Sequence, residues 1–295
     1  MLITHKPNTK CIADTKSIII KLLNNNQIAI AHCCLREKEI VNPISLADFY
    51  KMDNITFWDY LQKSYKKIPE NHKYEPDYYC NTKQLCFYND KYINKVAVST
   101  FRHCNIHCKM CLVSSNNYLP YNEEEKLYFN ILEKLKGHNL EIIELTSNGE
   151  PFLSKEKTFN YLENLRPNID CQTIEIVSNL TLLNSNDILR LKKIADNGLH
   201  FNFMASCSAI TEETYRKIHN NNNFNKVINN IIELNQLGLL TRISFVIQNE
   251  NLHELEFLHD FWKSKNINTN LQIRYVIGSG GEQIAKLKIY DKYIN

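Results

Sequence analysis

The sequence lacks several features that would place it in common protein classes. It has no apolar run as long as a membrane span, and its opening, MLITHKPNTKC, is not the basic stretch and apolar core of a secretion signal. Its formal net charge is only +3 over 295 residues, which does not favour a nucleic-acid partner. We therefore expect a cytoplasmic protein that binds neither a membrane nor a nucleic acid.

Two common catalytic patterns are also missing from the sequence. No Ser-His-Asp order and no pair of carboxylates stands out at the ends of the predicted strands. The glycine-rich stretch IGSGGEQ, at residues 277–283, has neither the lysine of a phosphate-binding loop nor a full dinucleotide fingerprint. It therefore does not predict a nucleotide site.

Cysteine, in contrast, is plentiful, with ten residues in the chain. A chain of this length can bury a hydrophobic core without covalent cross-links, and the reducing cytosol disfavours disulfides. The cysteines are therefore predicted to bind metal, to take part in catalysis or to lie buried as small apolar side chains.

From residue 95 onward, short β-branched runs alternate with amphipathic stretches, which predicts parallel strands connected by helices. Gly198 and Gly238 stand where two of these helices should end in a left-handed cap. Six repeats are fewer than the eight of a closed barrel, so the pattern allows an open three-quarter barrel or a doubly wound sheet. In either fold the chemistry is expected at the carboxyl ends of the strands. The six runs are VAVSTF, EIIELTS, TIEIVSN, LHFNFMASCS, LTRISFVIQ and LQIRYVIG.

The first 94 residues have a less regular pattern. A strand pair, SIIIKLL and QIAIAHCC, is predicted around a turn at residues 24–26, and short helices are predicted in SLADFYKM and ITFWDYLQKSYKKI. We therefore predict two domains: a small, cysteine-rich α+β domain at residues 1–94 and an α/β domain at residues 95–295.

Three cysteines, Cys104, Cys108 and Cys111, lie in the segment CNIHCKMC directly after the first strand of the second region. Polar residues alternate with them, which is a poor setting for three core side chains. A zinc site would need a fourth ligand, which His103 or His107 could supply. Alternatively, three thiolates could bind three irons of a 4Fe-4S cluster and leave the fourth iron open to a ligand from outside the protein. The spacing favours the cluster, with zinc and burial as alternatives.

The C-x3-C-x2-C spacing after a first strand resembles that of the radical S-adenosylmethionine (radical SAM) superfamily. Three further motifs are similar and come in the same order, each at the end of a predicted strand. The resemblance covers residues 96–280 and implies a partial (β/α)6 TIM-like barrel of the α/β class. The further motifs are Asn148-Gly149-Glu150-Pro151, Ser178-Asn179, and ASCSAITEETYRKIH at residues 205–219, which is similar to peptide-modifying members.

The resemblance also implies a chemistry. A 4Fe-4S cluster on the three cysteines would bind S-adenosylmethionine and cleave it reductively to a 5'-deoxyadenosyl radical, which abstracts a hydrogen atom from the substrate. The family favours a peptide or protein side chain as the substrate, with a carbohydrate or another small metabolite as the alternative. A flavodoxin or ferredoxin would be the reducing partner. A non-catalytic zinc or iron-sulfur protein on the same fold is the alternative from a different class.

The motifs also imply which residues bind S-adenosylmethionine. The turn at residues 148–150 would bind its ammonium group. Ser178, Asn179 and Ser206 would bind its ribose hydroxyls or its carboxylate, and the main chain before the third cysteine would contact its adenine. The resemblance assigns cofactor-binding roles to Met110, Asn148, Gly149, Glu150, Ser178, Asn179 and Ser206.

Four positions depart from the family pattern. Asn148 replaces the first glycine of the family turn, and the turn is expected to survive because asparagine tolerates a left-handed backbone better than other non-glycine residues. Leu180 stands where relatives have glycine, Ser208 where many relatives have aspartate, and His219 where they have arginine. We therefore expect the cofactor carboxylate or the substrate to be bound differently here. Cys207 lies on the opposite face of its strand from Ser208, so it is predicted to be a core residue, as is Cys171.

Five further cysteines lie in the N-terminal region. Their order around the predicted hairpin and the helix with Trp58 resembles the SPASM or twitch module, an auxiliary iron-sulfur domain of many radical SAM enzymes. That module normally follows the barrel, whereas this segment precedes it. Four thiolates could hold a second iron-sulfur cluster, and a zinc site or scattered thiols are the alternatives. The candidate ligands are Cys11, Cys33 or Cys34, Cys80 and Cys86.

Overall fold

The computed structural model describes most of the chain from residue 17 to residue 275. Of the N-terminal cysteines, Cys11, Cys33, Cys34 and Cys80 lie outside the described residues, and only the backbone of Cys86 is described. The second cluster predicted on them stays a prediction. The described ranges are 2–3, 17–23, 25–31, 40–66, 71–72, 86–87, 93–111, 119–145 and 148–275.

From residue 95 onward, strands and helices alternate along the chain. Two 3-10 turns, Pro151–Ser154 and Asn249–Glu254, follow the eighth and eleventh strands. The strands are β1 (Leu2–Ile3), β2 (Ser17–Leu22), β3 (Gln27–Ala31), β4 (Val41–Ser45), β5 (Asn71–His72), β6 (Cys86–Phe87), β7 (Lys95–Ser99), β8 (Leu140–Leu145), β9 (Cys171–Ser178), β10 (His200–Ser206), β11 (Leu240–Ile247) and β12 (Asn270–Tyr275). The helices are α1 (Leu46–Lys51), α2 (Asn54–Tyr65), α3 (Tyr121–Lys134), α4 (Lys155–Glu163), α5 (Ser185–Asp196), α6 (Glu212–His219), α7 (Phe224–Gln236) and α8 (Leu258–Ser264).

Six parallel strands, β7 to β12, lie side by side in chain order. This sequential order has no reversal point, so the doubly wound alternative is wrong and the partial (β/α)6 barrel is confirmed. The barrel stays open because the outer neighbour of β7 is β2 and that of β12 is β1. Gly198 and Gly238 have φ values of +101° and +70°, as the predicted left-handed caps require.

The N-terminal segment extends the barrel sheet. The predicted strand pair is present as β2 and β3, which run antiparallel, and β4 adds a third strand. The two predicted helices are present as α1 and α2, and Phe49 and Phe57 on them belong to the same apolar core as the barrel. The division of the chain at residue 95 stays a prediction. None of the described helices has the length and apolar composition of a membrane span.

The concave face of the sheet carries a network of buried charges. Lys95 on β7 lies 3.0 Å from Glu144 on β8 and also pairs with Glu175 on β9. Arg242 on β11 reaches the same Glu175 at 2.6 Å. Contacts between strands that are two apart are made on the inside of a curved sheet, so these groups lie in the barrel interior. Burial lowers the pKa of Lys95, but its two carboxylate partners outweigh this effect and hold the pKa above its ordinary value.

We expect Lys95→Met to destabilise the protein by about 1–3 kcal/mol, because it removes the cation shared by the half-buried Glu144 and the buried Glu175, while Glu175 keeps its pair with Arg242. The measurement is the free energy of unfolding from guanidinium titration. Lys51→Met is the control: its ion pair with Asp48 is 3.4 Å long, and both side chains are largely exposed. Such a pair contributes little. Equal stabilities of the Lys95→Met variant and the wild type would contradict the buried network.

Candidate functional site

The three clustered cysteines lie in the loop after β7. Cys104 and Cys108 are half-buried and Cys111 is exposed, and none of them forms a disulfide. Burial raises the pKa of Cys104 to about 11 and that of Cys108 to about 12. A metal bound here would therefore have to displace thiol protons.

One side of this loop is held by the last turn of α6. The backbone N–H of Lys109 donates to the carbonyl oxygen of Ile218 at 2.8 Å, which satisfies one of the free carbonyls at the end of the helix. The next helix residue, His219, places its Nδ1 atom 3.1 Å from the Sγ atom of Cys108. Helix α6 thus contacts both the backbone and a thiol of the cysteine loop.

The other side of the loop packs against the turn after β8. A Cβ atom on Gly149 would lie 2.6 Å from the carbonyl oxygen of Phe101 and 2.8 Å from that of His103. Glycine is therefore required at this position, because these carbonyl oxygens lie too close to leave room for the Cβ atom of any other residue. The N–H of Glu150 donates to the same His103 carbonyl at 3.0 Å, and Asn148 donates to Ser99.

The side chain of Glu150 links this turn to the one after β9. It is only 2% exposed and accepts hydrogen bonds from Ser178 Oγ at 2.9 Å, from the N–H of Asn179 at 2.9 Å and from the N–H of Phe152 at 3.1 Å. Burial raises the pKa of Glu150 to about 7, and the three donors oppose this shift. The carboxyl group therefore acts as an internal connection between two turns.

The turn after β9 returns to the cysteine loop. The Nδ2 atom of Asn179 lies 3.5 Å from Cys104 Sγ and 3.1 Å from Asn105 Oδ1. Leu180 has a left-handed backbone with φ of 62°, at the position where the family has glycine. That conformation costs about 1–2 kcal/mol in a non-glycine residue. Hydrogen bonds from its N–H to Ser178 Oγ and from Asn230 to its carbonyl hold it in place.

The structure brings most of the predicted site residues together around Cys104. The turn at 148–150, Ser178 and Asn179 are connected to the cysteine loop by the contacts above. Ser206 lies at the carboxyl end of β10, next to Ser244 of β11, and Met110 is half-buried in the loop. Their roles toward S-adenosylmethionine stay predictions. The buried Cys207 and Cys171 are core residues, as expected.

The sequence reasoning missed the connection between two of the departures from the family pattern. The N–H of Ser208 donates to His219 Nε2 at 3.1 Å, and Ser208 Oγ accepts the N–H of Val246 at 3.0 Å. His219 is 1% exposed, and burial lowers its pKa to about 4, so its ring is neutral near pH 7. The sequence contains one indication of this contact: both departures lie within the same motif, at residues 205–219.

The donor set fits an iron-sulfur cluster better than a single zinc ion. Within the described residues, no three His, Cys, Asp or Glu side chains converge on a position for one metal ion. A zinc ion needs four ligands at 2.0–2.3 Å, whereas each thiolate of a cluster binds a different iron. His103, one of the zinc candidates, has its Nε2 atom 3.3 Å from the carbonyl oxygen of Leu119 and 3.6 Å from Glu124.

The family model of the radical SAM superfamily matches residues 98–261, which is more than half of the chain. The chain belongs to the radical SAM superfamily. Membership in this superfamily of enzymes implies a 4Fe-4S cluster and S-adenosylmethionine, and the match includes all three cysteines of the loop. No curated protein matches the sequence.

Several solved structures are similar to this radical SAM chain. Native anSMEcpe with bound AdoMet and the Cp18Cys peptide is 15% identical with a TM-score of 0.46, over 62% of this chain and 51% of that one. SuiB of Streptococcus suis bound to S-adenosylmethionine is 14% identical with a TM-score of 0.48, over 68% and 46%. SuiB bound to the precursor peptide SuiA is 12% identical with a TM-score of 0.47, over 95% and 68%. The chain spans about half the length of the first of these proteins.

We expect Gly149→Ala to displace the cysteine loop, because its Cβ atom would overlap two carbonyl oxygens of that loop. The overlap should cost about 1–3 kcal/mol and reduce the iron retained after anaerobic reconstitution to less than about half. Gly137→Ala is the matched control. Its φ of +84° gives left-handed strain of about 1–2 kcal/mol, but nothing lies within 4 Å of the new atom. Full iron retention by Gly149→Ala would contradict the packing argument.

Proposed function

We propose that Cys104, Cys108 and Cys111 hold a 4Fe-4S cluster with one open iron and that S-adenosylmethionine binds there and is cleaved reductively. The main support is that the turns after β8 and β9 and the end of α6 all contact the cysteine loop. When bound, the cluster supplies one electron to the sulfonium, which gives methionine and a 5'-deoxyadenosyl radical that takes a hydrogen atom from the substrate.

The residues of the chain bind, orient and shield this cofactor. We propose that the turn at residues 148–150 offers backbone groups to the ammonium of S-adenosylmethionine and that the main chain near Met110 meets the adenine. Ser206, at the open end of β10, offers a hydroxyl to the ribose or the carboxylate. We propose that Ser178 and Asn179 belong to the same site. The hydroxyl of Ser178 and the backbone N–H of Asn179 donate to Glu150, and the side chain of Asn179 donates to Asn105.

We propose a peptide or protein side chain as the substrate, in a maturase or oxidoreductase type of reaction. The support is the similarity of residues 205–219 to peptide-modifying family members. A carbohydrate or other small metabolite is the second candidate. The reducing partner would be a flavodoxin or ferredoxin, and the protein would work in the cytoplasm. A second iron-sulfur cluster on the N-terminal cysteines would accept or relay an electron.

We expect anaerobic reconstitution of the full chain with iron and sulfide to give about eight iron atoms per chain if both clusters form, and about four if only one does. The triple variant Cys104→Ala, Cys108→Ala, Cys111→Ala should lose about four iron atoms and form no 5'-deoxyadenosine with S-adenosylmethionine and dithionite. Cys171→Ala, in which the replaced thiol is a core residue, is the control and should keep both properties.

Three results are informative in this experiment. If the wild type binds about four iron atoms and the triple variant binds none, the radical SAM function is supported and the second cluster is not. Stoichiometric zinc without 5'-deoxyadenosine would leave a metal-binding protein without this activity. Equal 5'-deoxyadenosine formation by the triple variant and the wild type would overturn the assignment of the cysteines.

The substrate class can be tested by deuterium transfer. We expect the reconstituted enzyme to form deuterated 5'-deoxyadenosine when it is given a deuterated cell extract, because the abstracted atom comes from the substrate. The extract is separated by size into macromolecular and small-molecule fractions, and part of the macromolecular fraction is first digested with protease. Label from the macromolecular fraction that is lost after digestion supports a protein substrate. Label only from the small-molecule fraction favours a metabolite.

A further inference from the structure

His219 is a buried histidine to which the radical SAM motifs assign no role. It is the last residue of α6 and packs against Tyr215, with 4.5 Å between the ring centroids. Both of its nitrogens have polar partners: Nε2 lies 3.1 Å from the backbone nitrogen of Ser208 and Nδ1 lies 3.1 Å from Cys108 Sγ. The ring thus connects the end of β10 with a thiol of the cysteine loop.

The partner of Nε2 fixes the tautomer of the ring. The backbone N–H of Ser208 can only donate, so Nε2 must accept and carries no proton. A neutral imidazole then carries its proton on Nδ1. This places an N–H donor directed at the sulfur of Cys108, and a thiolate is the better acceptor for it than a thiol.

The contact at Cys108 is shorter than the corresponding one at Cys104. Asn179 Nδ2 lies 3.5 Å from Cys104 Sγ and is shared with Asn105 Oδ1 at 3.1 Å. The imidazole proton, in contrast, has a single sulfur acceptor in the described structure. The backbone contact between Lys109 and Ile218 fixes the distance between loop and helix independently of the ring.

We propose that His219 is a positioning residue that donates its Nδ1 hydrogen to the thiolate of Cys108 and thereby raises the reduction potential of the cluster. The inference rests on the proposed function, since it requires a cluster on Cys104, Cys108 and Cys111. Reduction adds negative charge to the cluster and its sulfur ligands. A hydrogen bond to one of those sulfurs stabilises the reduced form more than the oxidised form.

The experiment compares midpoint potentials of the reconstituted full-length protein, measured by redox titration and electron paramagnetic resonance without S-adenosylmethionine. His219→Phe keeps a ring against Tyr215 but has no donor, and its cluster should be about tenfold harder to reduce, which is about 59 mV for one electron. His219→Asn keeps an N–H donor near the position of Nδ1 and should recover most of that difference. Tyr161→Phe, on α4, removes a buried hydroxyl that has no hydrogen-bond partner in the described structure, and it should leave the potential unchanged.

A second measurement keeps the proposal testable if His219→Phe loads no cluster. In wild-type protein labelled with 15N-histidine, the reduced cluster should show a nitrogen hyperfine coupling that is absent from His219→Asn. The proposal is overturned if the coupling is missing in the wild type, if it persists in His219→Asn, or if a cluster-loaded His219→Phe keeps the wild-type potential. A wild-type protein without any 4Fe-4S signal would instead overturn the proposed function, and this inference with it.

Discussion

The arrangement of the site depends on one buried carboxyl group. Glu150 receives three hydrogen bonds from groups on its own turn and on the turn after β9, while its backbone N–H binds the cysteine loop. Burial of a carboxylate is unfavourable unless such donors compensate for the lost water. Because Gly149 next to it allows the two backbones to touch, this pair of residues joins three loops that are far apart in the chain.

The charged network around Lys95 distinguishes the interior of this barrel from that of a closed eight-stranded barrel. A closed eight-stranded barrel fills its centre with layers of branched apolar side chains. In this six-stranded barrel, the corresponding positions include Lys95, Glu144, Glu175 and Arg242, which neutralise one another. Since Lys95 begins β7 and the cysteine loop follows it, the ion pairs lie toward the opposite end of the barrel from the site. At that end, the interior is thus lined by charges that compensate one another rather than by layers of apolar side chains.

Much of the fold could be predicted because its signals are local. Alternating β-branched and amphipathic runs predicted the six strands, and Gly198 and Gly238 marked two helix ends. The pairing of β2 with β7 could not be predicted, because residues far apart in the chain form it and neither strand pattern specifies its neighbour. In the site, the spacing of the cysteines predicted their grouping. The contact between Cys108 and His219 joins residues 111 positions apart, so no local pattern contains it.

The two departures at positions 208 and 219 make physical sense as one unit. An arginine at 219, as in relatives, has five N–H donors and no acceptor, so it could not accept the backbone N–H of Ser208. An imidazole is the side chain that presents an acceptor on one nitrogen and a donor on the other, and here these two atoms face Ser208 and Cys108. Replacing the charged guanidinium with a neutral ring also removes a cation from beside the cysteine loop. With the histidine, the group that reaches the Cys108 sulfur is the Nδ1 atom of a neutral ring, so the electrostatics at this sulfur follow from the identity of residue 219.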